Sequence, residues 1–263
     1  MNVAPLADRA PILHMREIDK TFTGGVVALR RMSLQVNEGD FISLLGPSGC
    51  GKSTALRLIA GLMPPTLGRI EWEGGTGVDD IGVVFQEPTL MPWATVEKNV
   101  FLPFRLRGER LKSVRDRIHE VLALVGLEKF AASYPRELSG GMKMRVSIAR
   151  ALATNPRLIL MDEPFAALDE ITRQKLNDDL LSLKAKTGAT VIFVTHSVFE
   201  SVFLSDRILV MAARPGRIIT EIEVNEPYPR GLDWRTSQRY GETARATSDA
   251  LNGALHPPGG LVA

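Results

Sequence analysis

The 263 residues include one cysteine, Cys50. No intramolecular disulfide framework is therefore available, and the chain suits a reducing compartment. An excess of either charge is also missing: 32 Lys and Arg stand against 30 Asp and Glu, a net charge of +2. This balance gives no reason to expect broad binding to nucleic acid or to a membrane surface. No apolar run approaches the roughly 18 residues that a membrane-spanning helix requires. The opening residues, MNVAPLADRAP, carry an acid and an arginine where a secretory leader needs an apolar centre, so no leader is expected. The four histidines and the lone cysteine never fall at zinc-ligand spacing. His14, His119 and His256 lie in polar or tail contexts and are expected to be solvated. No internal repeat is present. At 44% hydrophobic, 24% charged and 6% aromatic, the composition is that of an ordinary globular protein with ample length for a buried core.

Residues 1–11 read as a tail, and short alternating segments over Ile12–Phe22 and Met32–Asn37 predict half-exposed strands. Phe41–Leu45 is a compact apolar strand. A glycine-rich stretch follows it, and then apolar residues recur at helical spacing from Ser53 to Leu62. Further strands are expected over Gly68–Glu73, with a Gly-Gly turn beyond, and over Ile81–Phe85. From Val96 to Leu152 the period is helical; Val114, Ile118, Val121, Leu122 and Val125 share one face of a helix over Leu111–Val125. Continuous apolar strands over Leu158–Met161 and Thr190–Val194, separated by a helix over Ile171–Lys186, predict a parallel sheet covered on both faces. The expected architecture is α/β, with a helical subdomain of about residues 88–155 inserted in the sheet. Beyond Pro227 the character changes. A weak helix over Thr236–Asn252 and a disordered end at His256–Gly260 are expected in this C-terminal extension, residues 228–263.

Gly46, Pro47, Ser48, Gly49, Cys50, Gly51, Lys52, Ser53 and Thr54 satisfy the phosphate-binding pattern of two glycines, lysine and hydroxyl. Glycines let the backbone wrap so that successive N–H groups face an anion, and the following helix adds its positive end. In such a loop Lys52 reaches the β- and γ-phosphates and the Ser53 hydroxyl ligates Mg²⁺. The strand before and the helix after supply the context the pattern needs. Asp162 and Glu163 end the apolar strand that begins at Leu158. A carboxylate at a strand tip can hold magnesium, and its neighbour can orient or deprotonate an attacking water. Aliphatic strands ending in acids are common as plain structure, and it is the upstream glycine loop that favours the nucleotide reading. Gln86 and His196 each follow a strand's C-terminal end, the rim at which α/β sheets bind ligands. Gln86 can contact metal or water, and His196 can bond a γ-phosphate. Ser139, Gly140 and Gly141 open a helix, which reads either as a second anion site or simply as a capped start.

In that order, Gly46–Thr54, Gln86, Leu138–Met142, Leu158–Glu163, Ala167–Asp169 and His196 resemble the ATP-binding subunits of ABC transporters. The resemblance covers roughly residues 12 to 225, and its most specific element is Leu-Ser-Gly-Gly between the glycine loop and the Asp-Glu strand. It implies a P-loop NTPase with a RecA-like parallel core, an N-terminal antiparallel β region and an inserted helical subdomain, spanning residues 12–227. It also implies a head-to-tail dimer in which ATP lies between the loop of one copy and Ser139, Gly140 and Gly141 of the other. Glu163 is then the catalytic base, His196 the γ-phosphate contact, Gln86 a metal ligand and sensor, Asp162 a metal ligand, and Asp169 an interface residue. Phe22 matches the aromatic that stacks on adenine, often Tyr in the family; core packing is its other reading. Met142 replaces the frequent Gln. Together with the Glu163–Arg173 and Val194–Glu200 segments, it points to the nitrate/sulfonate/taurine group of bacterial importers, which includes pyrimidine-precursor systems.

Transport by such a subunit requires separate transmembrane permease subunits, with a periplasmic or extracellular solute-binding protein acting indirectly, and places the chain peripherally on the cytoplasmic face of the membrane. The loop Glu87–Val96, with prolines beside Met91 and Trp93, reads as a groove for a short helix of that partner, or as a loop folded onto its own subdomain. Cys50 reads as a small space-filler inside the loop. The rival reading is a soluble non-transport ABC-type ATPase acting on a macromolecule, but the long coiled coil or tandem cassettes typical of those proteins are absent. A P-loop kinase would leave Ser139–Gly141 without a role.

Overall fold

The computed structural model describes residues 9–74, 77 and 80–255. The expected disorder at His256–Gly260, most of the N-terminal tail and part of the Gly-Gly turn lie outside the described residues. In chain order the elements begin with β1 (Pro11–Thr21), β2 (Val27–Asn37), β3 (Phe41–Leu45), α1 (Lys52–Ile59), β4 (Leu67–Trp72) and β5 (Ile81–Val84). Next come α2 (Val96–Leu106), α3 (Leu111–Leu124), α4 (Gly140–Leu152), β6 (Leu158–Asp162) and α5 (Glu170–Thr187). The chain then forms β7 (Thr190–Thr195), α6 (Val198–Leu204), β8 (Arg207–Ala212), β9 (Arg217–Glu223), α7 (Leu232–Arg235) and α8 (Gln238–Leu255). Two compact units result, one from the segments before and after Asp80–Ala189, the other from Asp80–Ala189 itself.

In the first unit β2, β1 and β4 form a three-stranded antiparallel sheet in that order. The strand β3 pairs in parallel with β7 on one side and β8 on the other, and β9 runs antiparallel along β8. All residues of β3 and β7 are buried, as continuous apolar runs demand of strands covered on both faces. Phe41 and Phe193 pack with ring centroids 6.0 Å apart. β9 alternates exposed and half-buried residues, as an edge strand does. At the start of β3, buried Asp40 accepts from Arg9 at 3.1 Å and Arg207 at 3.0 Å, so its charge is compensated where the chain enters the core.

In the second unit β5 and β6 pair in parallel, with Val84 opposite Met161. Helices α2, α3 and α4 pack on one another, and α4 also packs on β5. The apolar face read from the sequence of α3 is buried, through Val114, Ile118, Val121 and Leu122.

Four elements escaped the sequence reading: α6, β8, β9 and α7. α1 ends at Ile59 rather than at Leu62 because Gly61, at φ 68°, turns the chain into the left-handed region, leaving Leu62 exposed. β2 begins at Val27, five residues before the expected start. No helix among the described residues is long and apolar enough to cross a membrane.

Candidate functional site

Leu45, the last residue of β3, lies opposite Thr195, the last of β7, and Val210 of β8. The loop from Gly46 and the residue His196 therefore leave neighbouring parallel strands at the same end. Within the loop, Gly51 adopts φ 92° and precedes α1 with no side-chain cap. A side chain there would strain the backbone and set a Cβ 2.9 Å from the Ala28 carbonyl oxygen. An uncapped helix start presents backbone N–H groups to an anion. Lys52 is buried, and its ammonium donates to the carbonyls of Gly46 (2.8 Å) and Pro47 (3.1 Å), which curls the side chain over the loop. Cys50 is buried beneath it with Sγ 4.0 Å from Nζ, so its side chain fills space as expected. Ser48 and Gly49 are exposed, whereas Ser53 and Thr54 on the first turn of α1 are half-buried. His196 is exposed at the end of β7.

Phe22 lies at the tip of the β1–β2 hairpin, 40% exposed, with Lys20 Nζ 5.7 Å from its ring centroid. The Phe22 amide donates to Val26 at 2.9 Å and its carbonyl accepts from Gly25 at 3.0 Å, so the ring is presented by a closed turn rather than packed in the core.

The second unit repeats the strand-end logic. Val84 opposite Met161 sends Phe85–Gln86 and Asp162–Glu163 out from adjacent strand ends. Gln86 is exposed, and Asp162 and Glu163 are half-buried. Glu163 takes φ 45°, a left-handed conformation uncommon for a residue with a side chain, and its carbonyl accepts from the Ala166 amide at 3.2 Å. Ser139 caps α4 by accepting from the Met142 amide at 3.3 Å, so Gly140 and Gly141 form the start of that helix as expected. Ser139 and Gly140 are exposed, while Gly141 is buried, with Thr172 of α5 so close that a Cβ would lie 2.9 Å from its methyl. Asp169 caps α5 through the Thr172 amide at 2.9 Å, and bonds from Thr172 hold its carboxyl below the usual range.

The loop after Gln86 is tied from below. Buried Asn99 accepts from the Met91 amide at 2.8 Å and donates to the carbonyls of Met91, Ala94 and Thr95 at 3.0–3.2 Å. Arg150 of α4 donates to the carbonyls of Pro88 and Thr89, both at 2.9 Å. Trp93 projects outward, 77% exposed. Neither Asn99 nor Arg150 carried a sequence signal, since their role is to satisfy backbone groups of a segment that the fold brings to them.

Gly216 also went unnoticed. It follows β8, donates its N–H to the Ala28 carbonyl at 3.0 Å and accepts from the Arg30 amide at 2.9 Å. A Cβ at Gly216 would stand 2.1 Å from the carbonyl oxygen of Cys50, so only glycine fits beneath the phosphate loop.

A glycine loop joining a buried parallel strand to an uncapped helix, with lysine and hydroxyl in place, defines a P-loop NTPase. The ABC transporter family profile matches residues 29–166. The taurine import ATP-binding protein TauB of Rhizobium johnstonii is 47% identical over 226 residues, 85% of this chain and 82% of that one. The aliphatic sulfonates import ATP-binding protein SsuB of Bacillus cereus is 44% identical over 230 residues, 85% of this chain and 90% of its own. Among solved structures, the dimeric post-hydrolysis state of an ATP-binding cassette bound to ADP and Pi superposes with a TM-score of 0.70 at 35% identity, covering 82% of this chain and all of that one. The chain belongs to the ABC transporter family and is an ATP-binding subunit of it, an ATPase.

Proposed function

We propose that two copies of this chain, head to tail, bind MgATP between them and couple its hydrolysis to uptake of a small solute through separate permease subunits. The observation that carries this reading is the exposure of Ser139 and Gly140 at the start of α4. They give the chain a second set of anion-directed amides beyond the phosphate loop, which one nucleotide on one chain leaves without a task. That the solved relative is dimeric and bound to ADP and Pi supports a pairing of two copies.

In this reading the loop amides of Gly46–Thr54 and the Lys52 ammonium hold the β- and γ-phosphates, and Phe22 lies against adenine. Ser139, Gly140 and Gly141 of the other copy contact the γ-phosphate, and Asp169 lies at the interface. Ser53, Asp162 and Gln86 offer a hydroxyl, a carboxylate and an amide oxygen, hard donors that suit magnesium. Among the described residues no group of three or more His, Cys, Asp or Glu gathers as a metal site. That fits a metal held partly by the nucleotide's own oxygens. When bound, the ion supplies neutralisation of the phosphate charge. Glu163 orients water and accepts its proton, and His196 donates to the γ-phosphate, so positioned charge does most of the work. The names of the relatives favour a sulfonate or taurine as solute, within the nitrate/sulfonate/taurine group. Residues 12–227 form the ATPase domain, with the helical subdomain at about 88–155 and an extension from 228. The Met91–Trp93 loop receives a permease helix, placing the chain on the cytoplasmic face of the membrane, and a solute-binding protein acts indirectly.

Full-length Glu163→Gln with MgATP should elute at twice the mass of the nucleotide-free protein and hydrolyse nothing. Adding Ser139→Ala should return it to the single-copy position. A Glu163→Gln protein that retains ATP while remaining a single copy would overturn the reading.

A further inference from the structure

The residues beyond Pro227 fasten themselves to α6, the short helix that follows His196 after a single residue. At the far end of α6, the Tyr228 hydroxyl donates to the Leu204 carbonyl at 2.8 Å, and Arg230 donates to the carbonyls of Phe203 (3.1 Å) and Ser205 (2.8 Å). Those carbonyls are the ones a helix end leaves without intrahelical partners. The Arg235 guanidinium stacks 3.6 Å from the centroid of the Phe203 ring. At the near end, the Tyr240 hydroxyl donates to the Phe199 carbonyl at 3.0 Å and its ring lies over that of Phe199, 6.5 Å between centroids and 21° between planes. Tyr240 is itself held edge-on by buried Trp234, at 5.4 Å and 86°.

The near end of α6 is in turn locked to the strand that bears His196. Thr195 Oγ1 donates to the buried carboxylate of Glu200 at 2.5 Å and accepts from the Ser197 amide at 3.0 Å. Ser197 caps α6 by accepting from the Glu200 amide at 3.3 Å. The hydroxyl thus bridges across His196 from one neighbour to the other, and the histidine backbone follows the first turn of α6.

We propose that the C-terminal segment is a brace that sets the position of His196, with Tyr240 as its principal positioning residue. The chain of contact runs from the Tyr240 ring and hydroxyl to Phe199, through the first turn of α6 to Glu200, and from Glu200 to Thr195 and the histidine between. Tyr240 touches no reacting atom. It fixes the frame from which the imidazole reaches, and small displacements of a group that contacts a transition state cost rate rather than binding. The inference rests on the role given to His196 above.

ATP turnover by the full-length chain, measured for Tyr240→Ala, His196→Ala and the double variant, tests it. Tyr240→Ala should lower kcat about fivefold with KM for MgATP changed less than about twofold, and in the His196→Ala background it should change residual turnover less than about twofold. An equal drop in both backgrounds, or full turnover in Tyr240→Ala beside an inactive His196→Ala, would overturn the brace alone. Full turnover in His196→Ala would overturn the reading of His196 and the brace with it. Where Tyr240→Ala does not fold, Tyr240→Phe keeps the ring and loses one hydrogen bond. The imidazole NMR signal of His196, one of four histidines and assigned by its loss in His196→Ala, should then shift. An unmoved signal would refute the proposal.

Discussion

Adding a methyl group at Gly216 forces it against the Cys50 carbonyl at 2.1 Å and the Ala28 carbonyl at 2.7 Å, both backbone atoms that cannot step aside. Gly216→Ala should therefore cost about 1–3 kcal/mol of stability and weaken ATP binding at least about tenfold, because the loop must shift as a whole. Thermal unfolding and calorimetric titration with ATP check the two effects. Glu163 gives the opposite case. Its φ of 45° is a conformation in which a side chain is strained and glycine is not. Glu163→Gly should abolish turnover yet raise the unfolding midpoint by about 2–4 °C, the equivalent of about 1 kcal/mol in a chain of this size. A lowered midpoint would refute the strain. The residues proposed to meet phosphate were legible because their pattern is local: loop, lysine and hydroxyl lie within nine positions. Gly216 and Asn99 were not, because what each must satisfy comes from elsewhere in the chain.

At the scale of elements, the loop carrying Met91 and Trp93 is tied by two side chains, Asn99 and Arg150. Asn99→Ala removes the side-chain partner of the Met91 amide and of the Ala94 carbonyl, while the Met91 and Thr95 carbonyls keep backbone donors, and this should cost about 2–4 kcal/mol. Hydrogen exchange at the Met91 amide should accelerate by orders of magnitude more than that at residues of α3; equal protection in the variant would contradict the assignment. The helices with one apolar face were readable, and α3 ends within one residue of its expected limit. β9 was hidden because its two adjacent isoleucines, Ile218 and Ile219, blur the alternation that marks an edge strand. α6 was hidden because seven residues give too few turns for a helical period to declare itself.

For the molecule as a whole, burial and the neighbouring Asp206 charge push the Tyr228 hydroxyl well above its ordinary value of 10.0. The folded state thus holds that proton more tightly than the unfolded chain does. Stability from Tyr228 is complete below the unfolded value and falls as pH rises through and above it. Denaturation midpoints of the native chain should drop above about pH 10, and Tyr228→Phe should flatten that alkaline decline while losing one hydrogen bond. Equal slopes for both proteins would refute it. The α/β class was legible in the continuous apolar strands, but the partition of the chain was less so. The helical block expected at 88–155 lies within the compact unit Asp80–Ala189, which also takes in β5, β6 and α5. That partition bears on how the protein is made. β3 carries the phosphate loop, yet both of its neighbours, β7 and β8, are encoded after the insertion. A nascent chain emerging from the ribosome holds the loop on a strand with no partner until β7 is made, and with one partner until β8 follows. The phosphate loop should therefore gain its final support only after β7 and β8 have joined β3, later than the pairing of β5 with β6 inside the inserted unit.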